Sequence, residues 1–349
     1  MSLISRTKTL TEAVGLFESP VHPLSEVRDL VDQIYGLEPQ LIPLSGERDQ
    51  NFLVAQGGSK QAILKISHPE ETETYTAFQV ALLRHLETNA CGLSTPHILP
   101  TRTGAPYVLW TFKNGQRSTV RLVSYLDGTP KSHTLGEIAD WTRKLGALQG
   151  RLCRAMAGFD HPGALEFIPW NAVSPQLFET DFLAVLGPEF TEHLTPHLER
   201  LARVTLPGLQ HLQAQIIHND LHPGNILLND AGEMSSVIDF GDAIKGPVVQ
   251  DLAVSAVSLV EAMPEGSVAP LRDLVDGFCE EFPIDAEQLE FLHDAMIMRG
   301  MLCVVLGRMK DQTVPAEARP RAATQASEKA LRMILNMHPD VVRGLCNGA

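Results

Sequence analysis

Residues 216–241 read IIHNDLHPGNILLNDAGEMSSVIDFG, and the reading of this stretch decides the rest of the chain. The apolar pair Ile216-Ile217 opens it as a short buried segment. His218, Asp220 and Asn225 follow in the pattern H-x-D-x-x-x-x-N. Ile226-Leu227-Leu228, a polar turn at Asn229, Asp230 and Gly232, and Val237-Ile238 predict a hairpin of two short buried strands, which ends at Asp239-Phe240-Gly241. Acidic and amide side chains often occupy turns because they bond their own backbone, and each of the three alone would carry only that meaning. Their ordered appearance around buried strands carries more. Phosphoryl transfer needs one carboxylate near an acceptor hydroxyl, and a second carboxylate plus an amide oxygen on magnesium. Asp220, Asp239 and Asn225 supply those atoms.

The composition suits such a chemistry without identifying it. A chain of 349 residues can form two lobes, each with its own core. The formal charge of −14 argues against nucleic acid, which requires a basic face, and is compatible with a cationic acceptor such as an amine. Five cysteines without paired metal spacing read as reduced thiols in a cytoplasmic protein. The N-terminal MSLISRTKTLTEAV lacks an apolar core for a signal peptide. MIMRGMLCVVLG (Met296–Gly307) is too short to span a bilayer and carries Arg299, so it reads as a buried helix and no membrane contact is expected.

His218, Asp220, His222, Asn225, Asp239, Phe240, Gly241 and Asp242, followed by Gly246-Pro247 and Asp251, resemble the catalytic core of the aminoglycoside phosphotransferase/choline kinase group, the small-molecule branch of the protein-kinase-like fold. VRLVSYLDG (Val120–Gly128), Trp170-Asn171 and IDFGD (Ile238–Asp242) are most similar to hydroxylysine kinase and its bacterial relatives. The resemblance implies an α+β bilobal fold. A small antiparallel-sheet lobe would occupy residues 21–126 after an extension at 1–20, and a helical lobe residues 127–349. It also implies Asp220 as the catalytic base, Asn225 and Asp239 as Mg²⁺ ligands, and ATP or GTP as the donor. His218 and Asp251 become supports of the catalytic loop. Asp242 and Trp170 become acceptor-side residues.

Outward from that core, Leu24, Val27, Leu30, Val31 and Ile34 predict an amphipathic helix over Pro23–Tyr35, ended by Gly36. Two strand-like arms flank Ser45–Gln50, a turn in which Ser45, Arg48 and Asn51 offer donors to phosphate. In Ala62–Ile66 alternation puts Ile63 and Lys65 on one face; by resemblance Lys65 holds the α- and β-phosphates and Ile63 packs on the base. The helix over about Glu70–Thr88 has Gln79 where the family usually carries a glutamate for that lysine. Glu73, Glu71 and Gln79 itself remain the candidate partners. Strands are expected over Pro106–Phe112 and Thr119–Tyr125, then a hinge at Ser124–Gly128 that reads the base through the Ser124 carbonyl and the Leu126 amide.

In the second lobe, apolar spacing predicts helices from Leu135 to Met156, over Asp181–Leu201, Asp251–Met263, Ala286–Lys310 and Ala323–Met337. Glu261, Asp294 and Arg299 are candidate contacts to a zwitterionic acceptor, against the alternative of a solvated helix face. The expected acceptor is a small amine-bearing alcohol, hydroxylysine-like first, with homoserine, choline-like and aminoglycoside acceptors next. A non-catalytic nucleotide-binding protein of the same fold is the alternative from another class. Oligomeric state is not legible in the sequence.

Overall fold

The computed structural model describes residues 19–89, 92–131, 138–264, 267–313 and 321–343. Most of the expected extension at 1–20, with Leu135, Cys91 and Cys346, lies outside the described residues. Helix α1 (Leu24–Tyr35) buries Val27, Leu30, Val31 and Ile34, and Gly36 ends it at φ 68, its N–H donating to the Asp32 carbonyl. The left-handed cap is the conformation glycine adopts without penalty.

An antiparallel sheet of β1 (Gln40–Leu44), β2 (Gln50–Gln56), β3 (Ser59–Ile66), β4 (Ile98–Leu99), β5 (Val108–Thr111) and β6 (Arg117–Ser124) runs in the order β1-β2-β3-β6-β4, with β5 also on β6. Gly57 and Gly58, at φ 59 and 83, make the tight β2–β3 turn. In β3 the predicted alternation holds: Ala62, Leu64 and Ile66 are fully buried against α1, while Ile63 and Lys65 face the opposite side. Helix α2 (Glu73–Asn89) covers that opposite side, and its Phe78, Leu82 and Leu86 join the core of the second lobe. The two cores therefore divide at α2, within the first lobe's stretch of chain.

After β7 (Thr129–Pro130), the second lobe is mostly helical: α3 (Ile138–Met156), α4 (Thr180–Leu186), α5 (Pro188–Arg200), α6 (Leu206–His211), α7 (Val248–Ala262), α8 (Ala269–Glu281), α9 (Ala286–Glu290), α10 (Leu292–Thr313), α11 (Arg321–Asn336) and α12 (Pro339–Arg343). Gly187 and Pro188 divide the single helical region expected over 181–201, and a break at Phe291 divides the one expected over 286–310. Helices α3 and α8 touch backbone to backbone: a Cβ on Gly146 would lie 2.0 Å from the Leu274 carbonyl oxygen. Helix α7 is buried continuously from Val248 to Val260, so it forms the floor beneath the catalytic segment.

That segment consists of two small sheets. Strands β9 (Ile226–Leu228) and β10 (Met234–Val237) form the predicted hairpin, joined at its edge by β7. Ile216-Ile217 belongs instead to β8 (Ala214–Ile217), paired with β11 (Ile244–Pro247) beyond the hairpin. The two loops that leave β8 and enter β11 are thereby held side by side. No helix among the described residues is long and apolar enough to cross a membrane.

Candidate active site

The loops that leave β8 and β10 each turn on a left-handed residue that is not glycine: Asn219 at φ 63 and Asp239 at φ 61. Asn and Asp tolerate this region better than most residues, at some cost that the surroundings must cover. At Asn219 that support is visible. Its N–H donates to Asp251 Oδ1 at 2.6 Å, its Nδ2 to the Trp170 carbonyl at 3.3 Å, and its Oδ1 accepts from Gln250 Nε2 at 2.9 Å. Asp251, buried at the start of α7, thereby accepts from the loop backbone. Burial raises its pKa, opposed chiefly by the nearby His218.

His218 is fully buried and stacks obliquely on Phe240, with ring centroids 4.7 Å apart. Its Nδ1 accepts from the Asp220 N–H at 3.2 Å, which leaves Nε2 as the donor to the Ile238 carbonyl at 3.1 Å. Burial lowers its pKa, so the neutral ring ties the Asp220 loop to the strand that delivers Asp239. A second tie runs through Asn225, whose carbonyl accepts from the Ile238 N–H at 3.0 Å. Asn225 Nδ2 also donates to the carbonyl and to Oδ2 of Asp220, both at 2.9 Å.

Asp220 is set in a mixed field. Burial and the Asp242 carboxylate push its pKa up, while Arg299, with Nη2 3.3 Å from Oδ1, and the Asn225 amide pull it down. Arg299 is only 5% exposed; Nη1 donates to the Trp170 carbonyl at 3.2 Å and the guanidinium lies 4.8 Å from the Trp170 ring centroid. The solvated helix face offered as the alternative for Arg299 and Asp294 is overturned by burial. Asp294 accepts from Arg200 at 2.8 Å and from Thr205 at 2.6 Å, a structural pairing away from any acceptor. Glu261 accepts from Ser327 at 2.8 Å.

A cavity of about 330 Å³ opens between the lobes. Ile63, Val123, Leu83 and Leu227 make an apolar end beside Ser124 and Leu126, whereas Ser45, Lys65 and Asp239 make a polar end. Lys65 Nζ lies 3.6 Å from Asp239 Oδ1 and 3.7 Å from Asp49 Oδ2. Lys65 holds the Asp239 carboxyl down to about 2 against the effect of burial, so Asp239 is ionised at neutral pH. None of the three sequence candidates for the lysine's partner holds it. Glu73 accepts from Tyr107, Glu71 accepts from Ser67 and Thr76 and pairs with Arg121, and Gln79 accepts from Arg121. Arg121, on the strand beside Lys65, attracts Glu71 and Gln79 instead.

The β1–β2 turn reaches across the cleft. Arg48 donates to Asp242 Oδ1 at 2.7 Å and to the Gly241 carbonyl at 2.6 Å, where Tyr75 also donates at 2.9 Å. The expected roles of Arg48 as a phosphate donor and Asp242 as an acceptor contact are therefore occupied by each other in this arrangement. Glu47 pairs with Lys310 at the end of α10 and accepts from Trp170 Nε1 at 3.1 Å. Trp170 is consequently a bridge between lobes, flanked by Arg299 and Lys310. Sequence reasoning passed over Asp49, Glu47, Arg121 and Lys310. Arg121 left one signal, a single charge in the otherwise apolar run Val120–Val123; the others sit in turns or helix ends with no pattern to mark them.

Among solved structures, similar folds are an amicoumacin kinase in complex with AMP-PNP, Ca²⁺ and its substrate (TM-score 0.67, 17% identity, 90% of this chain and 94% of that one) and a microcompartment-associated aminopropanol kinase (TM-score 0.67, 17% identity, 88% and 94%). A spectinomycin phosphotransferase in complex with ADP and spectinomycin is also similar (TM-score 0.56, 12% identity, 90% and 99%). No curated protein matches the chain in sequence. The model of the phosphotransferase enzyme family matches residues 40–292, from β1 to the start of α10, and this chain belongs to that family.

Proposed function

We propose that this phosphotransferase moves the γ-phosphate of ATP or GTP to a hydroxyl of a small amine-bearing alcohol, hydroxylysine-like in character. The observation that supports the reading is a chain of contacts: Lys65 and Asp239 line the cavity 3.6 Å apart, the N–H of the adjacent Ile238 donates to the Asn225 carbonyl, and Asn225 is bonded to Asp220. In this reading the apolar end beside Ile63, Ser124 and Leu126 takes the base, and Lys65 takes the phosphates, with Ser45 a further donor.

The residues fit a divalent cation. Asp239 is ionised and half-exposed to the cleft, and the Asn225 amide spends its N–H on Asp220, leaving its oxygen for a metal. Among the described residues no cluster of three or more His, Cys, Asp or Glu could hold a metal by itself. Two protein oxygens suit Mg²⁺, which takes its remaining ligands from water and phosphate. Asp239 and Asn225 would hold that ion, and its positive charge would offset the charge that develops on the phosphate oxygens. Asp220, with its pKa raised, is a stronger proton acceptor than an ordinary carboxylate and orients the acceptor hydroxyl.

The similar structures named for aminopropanol and for amicoumacin support an amine-bearing alcohol as acceptor. The net charge of −14 suits a cationic group on it. Arg299 beside Asp220 supports an additional acidic group, as in an amino acid, over a purely polycationic aminoglycoside. The test is turnover of both nucleotides against a panel of amino alcohols, with and without a carboxylate, alongside homoserine, choline and aminoglycosides. The Asp220→Ala variant should retain nucleotide binding and lose turnover by about 100-fold or more, the scale of a lost acid–base group. Equal turnover in that variant removes Asp220 from its role.

A further inference from the structure

Strand register places Asn51, Lys65 and Arg121 in one row across β2, β3 and β6, all three lining the cavity. Residues directly opposite on neighbouring strands share a face, so Lys65 and Arg121 are like charges side by side, an arrangement that costs stability unless an anion intervenes. Where helix α2 faces Arg121 it presents Gln79, uncharged, 4% exposed and accepting from Arg121, while its Glu73 accepts from Tyr107. The anion comes instead from the opposite direction. Asp49 Oδ2 lies 3.7 Å from Lys65 Nζ and 3.5 Å from Arg121 Nη2. Side-chain exposures of 12%, 18% and 3% for Asp49, Lys65 and Arg121 leave little solvent to screen the trio. Arg121 is itself anchored, donating to Ser67 Oγ at 2.6 Å and pairing with Glu71 at 3.6 Å.

We propose that Asp49 is the positioning residue for Lys65, with Arg121 and Gln79 as the fixed anchor that holds Asp49 in place. The inference rests on the reading of Lys65 as the phosphate-holding lysine. Asp239 cannot serve instead during turnover, because that reading commits its carboxylate to the metal. Since Asp49 belongs to the turn that covers the phosphates, the lysine is aligned by closure of that turn, independently of where α2 lies.

The test compares turnover of Asp49→Asn, Asp49→Glu, Lys65→Met and the double variant Asp49→Asn/Lys65→Met, using ATP, Mg²⁺ and the best acceptor from the panel. Asp49→Asn should lower kcat by about 10-fold or more, the scale of a misplaced phosphate contact, with the acceptor KM within about twofold of the parent. Asp49→Glu should recover most of the loss. In the Lys65→Met background, Asn at 49 should lower residual turnover no further, because groups that act as a unit are non-additive. Unchanged kcat in Asp49→Asn, or the same fold-loss with and without Lys65, overturns the inference. Parental turnover in Lys65→Met would instead overturn the underlying reading of the cavity. Thermal melting of each variant separates loss of fold from loss of alignment, and should Asp49→Asn fail to fold, the Asp49→Glu comparison in both backgrounds decides.

Discussion

Arg299 holds its guanidinium 3.3 Å from the Asp220 carboxylate and 4.8 Å from the Trp170 ring centroid. The pairing joins the catalytic loop to the middle of α10. Removing Arg299 leaves a carboxylate already destabilised by burial and by Asp242. The cost of Arg299→Ala should therefore depend on pH. At pH 5 Asp220 carries a proton with or without its partner, and the variant should lose little beyond packing. At pH 9 the parent carries an ionised, paired Asp220, whereas the variant must either bury an unpaired charge or take up a proton that the unfolded carboxylate does not bind, and both cost stability. The extra loss should reach a few kcal/mol, up to about 3–5 for a fully buried pair, read by denaturant unfolding at the two pH values. Lys at 299 should rescue only partly, since it cannot bond Asp220 and the Trp170 carbonyl together in the same planar geometry.

Asp220 itself should make the nucleotide-free, metal-free enzyme less stable as pH rises. Its folded pKa lies above the unfolded carboxylate value of about 4, so the folded state binds more protons than the unfolded state over the interval between the two. Stability then falls with rising pH across that interval and levels off above it. Asp239 has the opposite sign: its contribution is present above about 4 and is lost as pH falls toward its folded value of about 2. Asp220→Asn should flatten the decline between pH 5 and 8 while leaving the acid limb unchanged. A decline of the same slope in that variant would assign the effect to another buried carboxylate, with Asp242 and Asp251 the next to vary.

The left-handed turn at Asn219 predicts an ordering of substitutions. Asn219→Gly relieves the backbone but loses the side-chain bonds to Trp170 and Gln250, two opposed changes of about 1 kcal/mol each. The net stability change should be small. Asn219→Val keeps the strain, adds a β-branched side chain at φ 63 and loses the same bonds, so it should cost several kcal/mol, and kcat should fall with the displaced Asp220. Thermal melts of the two variants give the comparison, and equal losses would show that the side-chain bonds, rather than the backbone, set the position of the loop.

The catalytic hairpin was legible because its information is local. Apolar runs of three residues, a polar turn and chelating side chains all fall within 216–241, and the strand alternation around Lys65 needs only five residues. What escaped was set by register between distant segments. Nothing near Arg121 says that β3 will bring Lys65 beside it, so the redirection of Gln79 and Glu71 could not be read from either helix or strand alone. The solvated face offered as the alternative for Arg299 fails for a related reason. Helix α10 is apolar on nearly every side, so the run reads as buried, but the carboxylate that pairs its lone arginine comes from a segment 79 residues away. The breaks at Gly187 and Phe291 are small local signals that uninterrupted helical periodicity concealed.

Arg48 and Asp242 are separated by 194 residues of sequence and bonded at 2.7 Å, with side chains 15% and 11% exposed. Burial raises the Asp242 pKa and Arg48 opposes that rise. Arg48→Met removes the cation and leaves the carboxylate stranded, so it should destabilise by about 3 kcal/mol, whereas the double variant Arg48→Met/Asp242→Leu replaces the pair with apolar groups and should recover much of the loss. Stability and turnover should then separate. The double variant folds, but its β1–β2 turn is no longer tied to the Asp239-Phe240-Gly241 segment, so kcat stays low while Tm returns. Recovery of both together would mean that the pair contributes only to stability and that closure of the turn is held elsewhere, with Glu47, bonded to Trp170 and paired with Lys310, the remaining link to remove.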